Sequence, residues 1–449
     1  MAGEAHRGAD TARVVAVPAA AVEPGTTPLA TPARSWLVLV ILCGVYVLNF
    51  IDRSLLGTLA KPIQDTLHIT DGQLGRIGGL YFALFYCFIA IPVGWLADRT
   101  GRVKILALAC AIWSAATSWC GLATNYTQLV AARMMVGFGE AGGVPPSYAI
   151  ITDSFPPGQR GTALGIYNLG PPIGVALGVA FGASIAAAFN WRDAFMAIGV
   201  VGVIVAIGIK LFVREPVQGG LDTKPVTAGK SSFWGTCGMF FSHPALMLAA
   251  LGSGATQFIT YGAGNFTVLF LMREKHMTLG EVALWYALLV AIAMSAGMVV
   301  SGRVIDKYVR RTRAAYATVP AASLALAIPF YLGFVWSPSW PLAVALLVGP
   351  MFLNYFYLTS SIALVQEEVR PDQRVMAGAL LLLVMNFIGL GLGPTYVGAA
   401  SDYFQAAHPA HSLQIALFTL TPFYVIAIIL FLVLARILRR EDRATGVTA

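Results

Sequence analysis

Hydrophobic residues along this chain come in long runs, not in the short periodic stripes of a water-facing domain. Twelve runs are long enough to cross a bilayer as helices: residues 36–60, 74–96, 104–123, 127–150, 161–188, 192–213, 244–271, 279–302, 314–335, 340–365, 374–399 and 412–436. The longest polar interruption, Arg214 to Ser242, divides them six and six. The pattern predicts an all-α polytopic membrane protein with six-helix bundles over residues 34–213 and 243–437, joined by a cytoplasmic linker over 214–242. Residues 1–33 and 438–449 read as cytoplasmic tails. The first tail is Ala, Pro, Thr and Gly with scattered charge, a composition that stays disordered, and it lacks the apolar core of a cleavable signal.

Lysine and arginine sort by side. One set of loops carries only Lys61, Arg192, Arg273 and Lys275; Arg53, Arg76 and Arg133 fall in or beside runs; the remainder lie in the opposite loops and tails. By the positive-inside rule both termini are cytoplasmic, in a cell membrane. The net charge of +8 then faces anionic lipid, so no nucleic-acid partner is expected. Charged residues make up 11% of the chain, against about 25% in soluble domains. Cys43, Cys87, Cys110, Cys120 and Cys237 have no metal or redox spacing, and the histidines sit in loops, at run ends or in the first tail. No metal site, enzyme constellation or phosphate-binding loop is expected, which leaves an ion gradient as the energy source.

The halves repeat each other. Gly94-x3-Asp98-Arg99-x2-Arg102 after run 2 matches Gly302-x3-Asp306-Lys307-x2-Arg310 after run 8. Asp153-x3-Pro157-x-Gln159-Arg160 before run 5 matches Glu367-x3-Pro371-x-Gln373-Arg374 before run 11. Runs 5 and 11 both carry Gly-Pro, at Gly170-Pro171 and Gly393-Pro394. Two parallel six-span repeats enclosing a path is the layout of a secondary transporter. The paired loops read as a cytoplasmic gate: Gly94, Asp98, Arg99, Gly101, Arg102 and Arg160 in one half, Asp306, Arg310 and Arg374 in the other. A carboxylate there can cap a helix N-terminus or pair with an arginine of the neighbouring loop.

The costliest residues are charges inside the runs: Asp52 and Arg53 in the first, Arg133 and Glu140 in the fourth. A charge in hydrocarbon costs at least about 2.5 kcal/mol and marks function by default. Adjacent helical residues point about 100° apart, so Asp52 and Arg53 do not neutralise each other. At ~1.5 Å per residue, Arg133, the Asp52–Arg53 pair and Glu140 lie roughly 9, 13 and 20 Å below the outer end. One band of depth holds two acids and two bases, so Asp52 is expected to meet Arg133, and Arg53 to meet Glu140. A substrate anion competing for the arginine would free its acid to take a proton. Asp52 and Glu140 are therefore the proton-carrying candidates, and Arg53 is the anion-binding or switching cation. Arg133 holds the acid and counts with the substrate-binding set.

Runs 7, 8, 10 and 11 are neutral in mid-membrane. Thr256, Tyr261, Asn354, Tyr355 and Tyr357 alternate there with Phe258, Phe266, Phe352 and Phe356. A charged wall facing an aromatic one suits an amphiphile, head at Arg53 and tail on the second half. Gly139/Gly143 and Gly174/Gly178/Gly182 mark close helix packing, and Pro145-Pro146 and Pro171-Pro172 predict kinks in runs 4 and 5.

The loop Gly94 to Lys104, the stretch Arg133-Met-Met-Val-Gly-Phe-Gly-Glu140-Ala141 and the glycine-proline run Gly165 to Gly178 resemble the signatures of the major facilitator superfamily. Asn49-Phe-Ile-Asp52-Arg53, Pro145-Pro-Ser-Tyr148, Asp153-Ser-Phe-Pro-Pro157 and Asn190-Trp-Arg192-Asp-Ala-Phe195 are similar to its spinster-like branch. The resemblance implies twelve helices in two pseudo-symmetric bundles and rocking alternating access by a monomer in the lipid bilayer. It implies a lysophospholipid or sphingoid-phosphate substrate, and it adds Asn49 and Tyr148 to the substrate-binding set. The alternative is a transporter of small organic acids or drugs, which would want a second cation in the second half. A receptor or channel-like protein would not need duplicated gate loops.

Overall fold

The computed structural model describes residues 32–156, 159–216, 233–370 and 373–444. Twelve helical segments follow the hydrophobic runs. The first six are α1 Pro32–Thr58, α2 Asp71–Gly94, α3 Arg102–Leu122, α4 in two pieces, Tyr126–Glu140 and Val144–Ser154, α5 Thr162–Ala188 and α6 Trp191–Phe212. The second six are α7 Pro244–Arg273, α8 Leu279–Val309, α9 Ala315–Trp336, α10 Trp340–Glu368, α11 Met376–Gln405 and α12 Ser412–Arg443. Ten of them are long and apolar enough to span a membrane by themselves. The other two, α4 and α7, carry polar and small residues because they face the interior: Arg133 and Glu140 in one, Ser253, Thr256 and Gln257 in the other, all buried. Outward faces are the reverse. Along α6, Val200, Ile204, Ile207 and Leu211 are all more than half exposed, a surface stable only against lipid.

Two boundaries differ from the sequence reading. A helix, Phe233–Ser242, fills the end of the expected linker and packs on α7 and on the start of α11, since its Phe and Met side chains need cover. The last helix runs on through Ala444, into the expected tail. Nothing after Leu438 breaks it, and Glu441 and Asp442 reach Arg313 at 3.5 Å.

Glycines set the helix spacing. Gly170, Gly174, Gly178 and Gly182, one per turn of α5, lie against α1, and a β-carbon at Gly174 would sit 2.4 Å from the Val47 carbonyl oxygen. This fixes the rotation of α1 and aims Asp52 and Arg53 inward. The helices also depart from ideal geometry in corresponding places. π-turns occur at Ile77–Tyr81 in α2 and Val282–Tyr286 in α8. α4 breaks at residues 141–143, and α10 breaks at Asn354–Tyr355. α5 breaks at residues 168–169, and α11 has a π-turn at Phe387–Leu392. Pro145 and Pro171 are not themselves the kinks. They occupy the first turn after each break, where a missing N–H costs nothing.

The halves touch on the far face, opposite the end where α1 begins and α12 finishes. There α2 packs on α11, the first turns of α8 on α5, and Gly57 of α1 on the Asn265 backbone of α7. On the near face they part. A cavity of about 1360 Å³ opens between them, reaching from Gly57 and Asn265 down to Gly94, Arg102 and Met376.

Candidate functional site

The four charges in the N-terminal half come together as two buried pairs. Arg133 Nη1 donates to Asp52 Oδ1 at 3.1 Å, and Arg53 Nε donates to Glu140 Oε2 at 2.5 Å. Glu140 is fully buried and Asp52 is 1% exposed. Two balanced pairs are the affordable way to hold four charges at this depth.

Local packing explains the arrangement. A β-carbon on Gly139 would fall 2.6 Å from the Trp113 backbone nitrogen, and one on Gly137 would fall 2.6 Å from the Phe82 carbonyl oxygen. These glycines draw α3 and α2 onto α4. α3 then delivers Thr117, whose hydroxyl faces both Asp52 Oδ2 and, at 2.9 Å, the Trp113 carbonyl oxygen. α2 delivers Phe82, whose ring centroid lies 5.2 Å from the Arg53 guanidinium and 5.3 Å from that of Arg133. Cation–π contact with this one ring stabilises both charges. Gly139→Ala is expected to cost about 1–3 kcal/mol, since the atoms it meets are backbone and cannot move aside; thermal unfolding in detergent measures it.

The pairs differ in access. Arg53 lines the cavity, with Phe50, Tyr86 and Phe82 rings around its guanidinium, whereas Asp52, Glu140 and Arg133 lie behind it and do not. Its Nη2 and Glu140 Oε1 are buried without hydrogen-bond partners. Arg53 thus meets Glu140 through Nε, with Tyr86 and Tyr261 beside its guanidinium and Nη2 left over.

Tyr148, Tyr261, Asn354, Tyr355 and Tyr357 also line the cavity. Tyr148 donates to Asn168 Oδ1 at 2.7 Å. Three residues expected at the substrate lie elsewhere. Arg133 is 2% exposed and is spent on Asp52. Thr256 is fully buried and donates to the Gly252 carbonyl oxygen at 2.9 Å, because its helix face points into the second bundle. Asn49, one turn before Arg53, is buried and off the cavity wall. Residues absent from the sequence expectation are Thr117, Phe82 and Tyr86; the last two, four apart in α2, share one helix face.

The expected gate lies on the near face, which is open. Gly94 and Arg102 line its mouth. Arg102 Nη1 donates to the Asp153 carboxylate of its own half, while Glu215 accepts from the backbone N–H of Arg102 at 2.7 Å and of Val103 at 2.9 Å, capping α3. Gly101 takes φ +117°, a conformation that favours glycine. Arg160 Nε donates to the Phe155 carbonyl oxygen at 2.9 Å. Arg99, Asp306, Arg310 and Arg374 are exposed on this face, and the Asp98 side chain lies outside the described residues. The repeat predicts that Arg310 would play the part of Arg102. Instead Arg313 pairs with Glu368, and Tyr316 donates to Glu367 at 2.5 Å, because the helix that begins at Arg102 in the first half begins only at Ala315, five residues past Arg310, in the second.

The contact that does close is on the far face. Asp71, 2% exposed at the start of α2, accepts from Arg273 Nη1 at 3.0 Å and Nη2 at 2.6 Å, from Ser401 at 2.6 Å and from Gln64 at 2.6 Å. Asp402 of α11 accepts from the Thr70 hydroxyl at 2.7 Å and the Gly72 N–H at 3.0 Å. A β-carbon on Gly75 would sit 2.3 Å from the Pro394 carbonyl oxygen, and one on Gly398 would sit 2.3 Å from that of Asp71. The repeat extends here too: His68 and His276 both take left-handed backbone, each followed by a capping box, Thr70–Gln73 and Thr278–Glu281. The spacing His-x-Thr-x2-Gln/Glu was available in the sequence as a signal.

This fold and buried charge network define a multi-pass membrane transporter with two pseudo-symmetric halves. The Major Facilitator Superfamily profile matches residues 42–394, and a solved bacterial homologue of the human lysosomal transporter spinster, in an inward-facing and unoccupied conformation, superposes with TM-score 0.84 at 30% identity, covering 92% of this chain and 98% of that one. The chain belongs to the major facilitator superfamily and is of the spinster-like type. It is 29% identical over 391 residues to an MFS-type efflux pump of Mycolicibacterium smegmatis, covering 86% of this chain and 89% of the pump. It is 25% identical over 410 residues to protein spinster homolog 1 of Mus musculus, covering 85% and 76%.

Proposed function

We propose that the protein is a proton-coupled transporter of an amphiphilic anion, of lysophospholipid or sphingoid-phosphate type. It works by alternating access in the cell membrane as a monomer with cytoplasmic termini, driven by the proton gradient and needing no other cofactor. The observation that carries this reading is Arg53, paired with Glu140 through Nε and with Nη2 left without a partner, on the wall of a large and mainly apolar cavity. An anion entering from the near face competes with Glu140 for the guanidinium. A carboxylate that loses its cation in a dry site binds a proton rather than stay charged.

In this reading Asp52, behind Arg53 and paired with Arg133, is the second proton carrier. The single Thr117 hydroxyl proton has two acceptors, Asp52 Oδ2 and the Trp113 carbonyl oxygen. When Asp52 is charged the proton turns to it; when Asp52 is protonated it can donate to Thr117, whose own proton then satisfies Trp113. The site thus accommodates either protonation state without an orphaned hydroxyl. In proteoliposomes loaded with a single-chain phosphate lipid, transport is expected to follow an imposed pH gradient in wild type. In Asp52→Asn it should lose that dependence. Transport insensitive to the gradient in wild type would refute the coupling.

A second reading is a small organic acid or a drug as substrate, and the likeness to a mycobacterial efflux pump fits export of such a molecule. The aromatic wall suits a drug equally. A thermal-shift screen separates the two, since neutral drugs would stabilise wild type and Arg53→Gln alike, whereas an anionic amphiphile requires Arg53.

A further inference from the structure

The second half presents more than an apolar surface. Gln257 of α7 and Asn354 at the break in α10 both line the cavity and both are 5% exposed. Asn354 Nδ2 donates to the Tyr424 hydroxyl at 2.9 Å, and the Gln257 side chain lies beside the Tyr357 hydroxyl. The two amide oxygens are different. Gln257 Oε1 and Asn354 Oδ1 are buried acceptors with no donor. A buried carbonyl oxygen without a donor is an unfavourable state that a ligand can relieve.

The two acceptors are held in place. Gln257 packs on Gly389, where a β-carbon would fall 2.2 Å from Gln257 Cβ, so the π-turn of α11 clamps it. Tyr424, which anchors Asn354, is fully buried. Asn354 stands at the break of α10 that corresponds to the break of α4 following Glu140. Where one half offers an ion pair, the other offers neutral acceptors. Gln257 is one helical turn, about 6 Å along α7, from Tyr261, which lies beside Arg53. Thr260, Asn265 and Thr267 of this helix, also on the wall, donate to backbone carbonyls of their own helix and do not compete.

Resting on the anion reading of Arg53, we infer that Gln257 and Asn354 form a hydrogen-bond acceptor subsite selecting amphiphiles that carry a hydroxyl group close to the anionic head. A hydroxyl fits better than an ammonium because this wall has no carboxylate to balance a full charge. The subsite discriminates against plain alkyl anions, which would leave both oxygens bare.

The test compares two single-chain phosphates on the purified protein in detergent: 1-lauroyl-glycerol 3-phosphate, whose glycerol bears a free hydroxyl, and dodecyl phosphate, which has none. Wild type should bind the hydroxylated lipid about tenfold more tightly, the worth of one hydrogen bond to a buried acceptor. Gln257→Met and Asn354→Leu should each reduce the preference, and the double variant should abolish it while binding dodecyl phosphate at least as tightly as wild type does, since no oxygen is then left bare. Equal binding of both lipids by wild type, a comparison that needs no variant, would overturn the subsite and mean that water serves these oxygens. A preference that survives the double variant overturns it as well. Binding of neither lipid refutes the anion reading itself, and this inference with it.

Discussion

Arg133→Met is expected to destabilise the protein by about 3–5 kcal/mol. Asp52, at 1% exposure, would be left with one hydroxyl as its remaining partner, and either an unbalanced charge or the uptake of a proton at neutral pH costs stability. Removing one member of a buried pair leaves the other's desolvation uncompensated, which is why the loss exceeds the net worth of the pair. The double variant Arg133→Met/Asp52→Asn should recover most of the stability, because no charge is left unbalanced at that site and Arg53–Glu140 is untouched. It should not recover gradient-driven transport, since the acid is gone. Chemical denaturation or thermal unfolding in detergent gives the first comparison, and proteoliposome uptake gives the second. If the double variant is no more stable than Arg133→Met, the pair is not the reason for the loss.

Arg273→Ala is expected to open the far face. The bidentate contact with Asp71 joins α7 to α2 across the two halves, with Ser401 and Gln64 completing the carboxylate's partners. Charge-assisted, partly dry bonds of this kind contribute about 1.5–3 kcal/mol each to the closed arrangement. Losing about 3 kcal/mol shifts a two-state equilibrium roughly a hundredfold toward the other state. The far-face distance between spin labels at Asp65 and Gln405 should lengthen in the variant without any substrate. An unchanged distance distribution would show that the glycine contacts alone, Gly75 on Pro394 and Gly398 on Asp71, hold that face shut.

Much of the candidate site was legible in the chain because hydrocarbon makes charge conspicuous. Four ionisable residues inside two apolar runs had to find partners at matching depth; rise per residue puts them in one band, and the family resemblance, which implies that runs 1 and 4 line one cavity, pairs Asp52 with Arg133 and Arg53 with Glu140. Neutral residues carry no such penalty, so their facing could not be read. Thr256 turns into its bundle while Gln257, the next residue, faces the cavity. Thr117 and Phe82, which complete the charge network, are ordinary residues in ordinary apolar runs. The far-face closure was missed for a related reason: Asp71 and Arg273 stand at run ends, where charges are cheap and draw no notice.

What the sequence determined by itself is what depends on local composition and on order along the chain: twelve helices, the division into repeated halves, and the depth of each buried charge. Hydrophobic length and helical rise are one-dimensional quantities. Which face of the molecule is closed, which members of the charge network touch the cavity and which acceptors stand unpaired along it depend on helix rotation and on contact between α2 and α11, more than 300 residues apart in the chain. Those were decided only by the packing of glycine against backbone in three dimensions, where a single β-carbon would have turned Arg53 elsewhere.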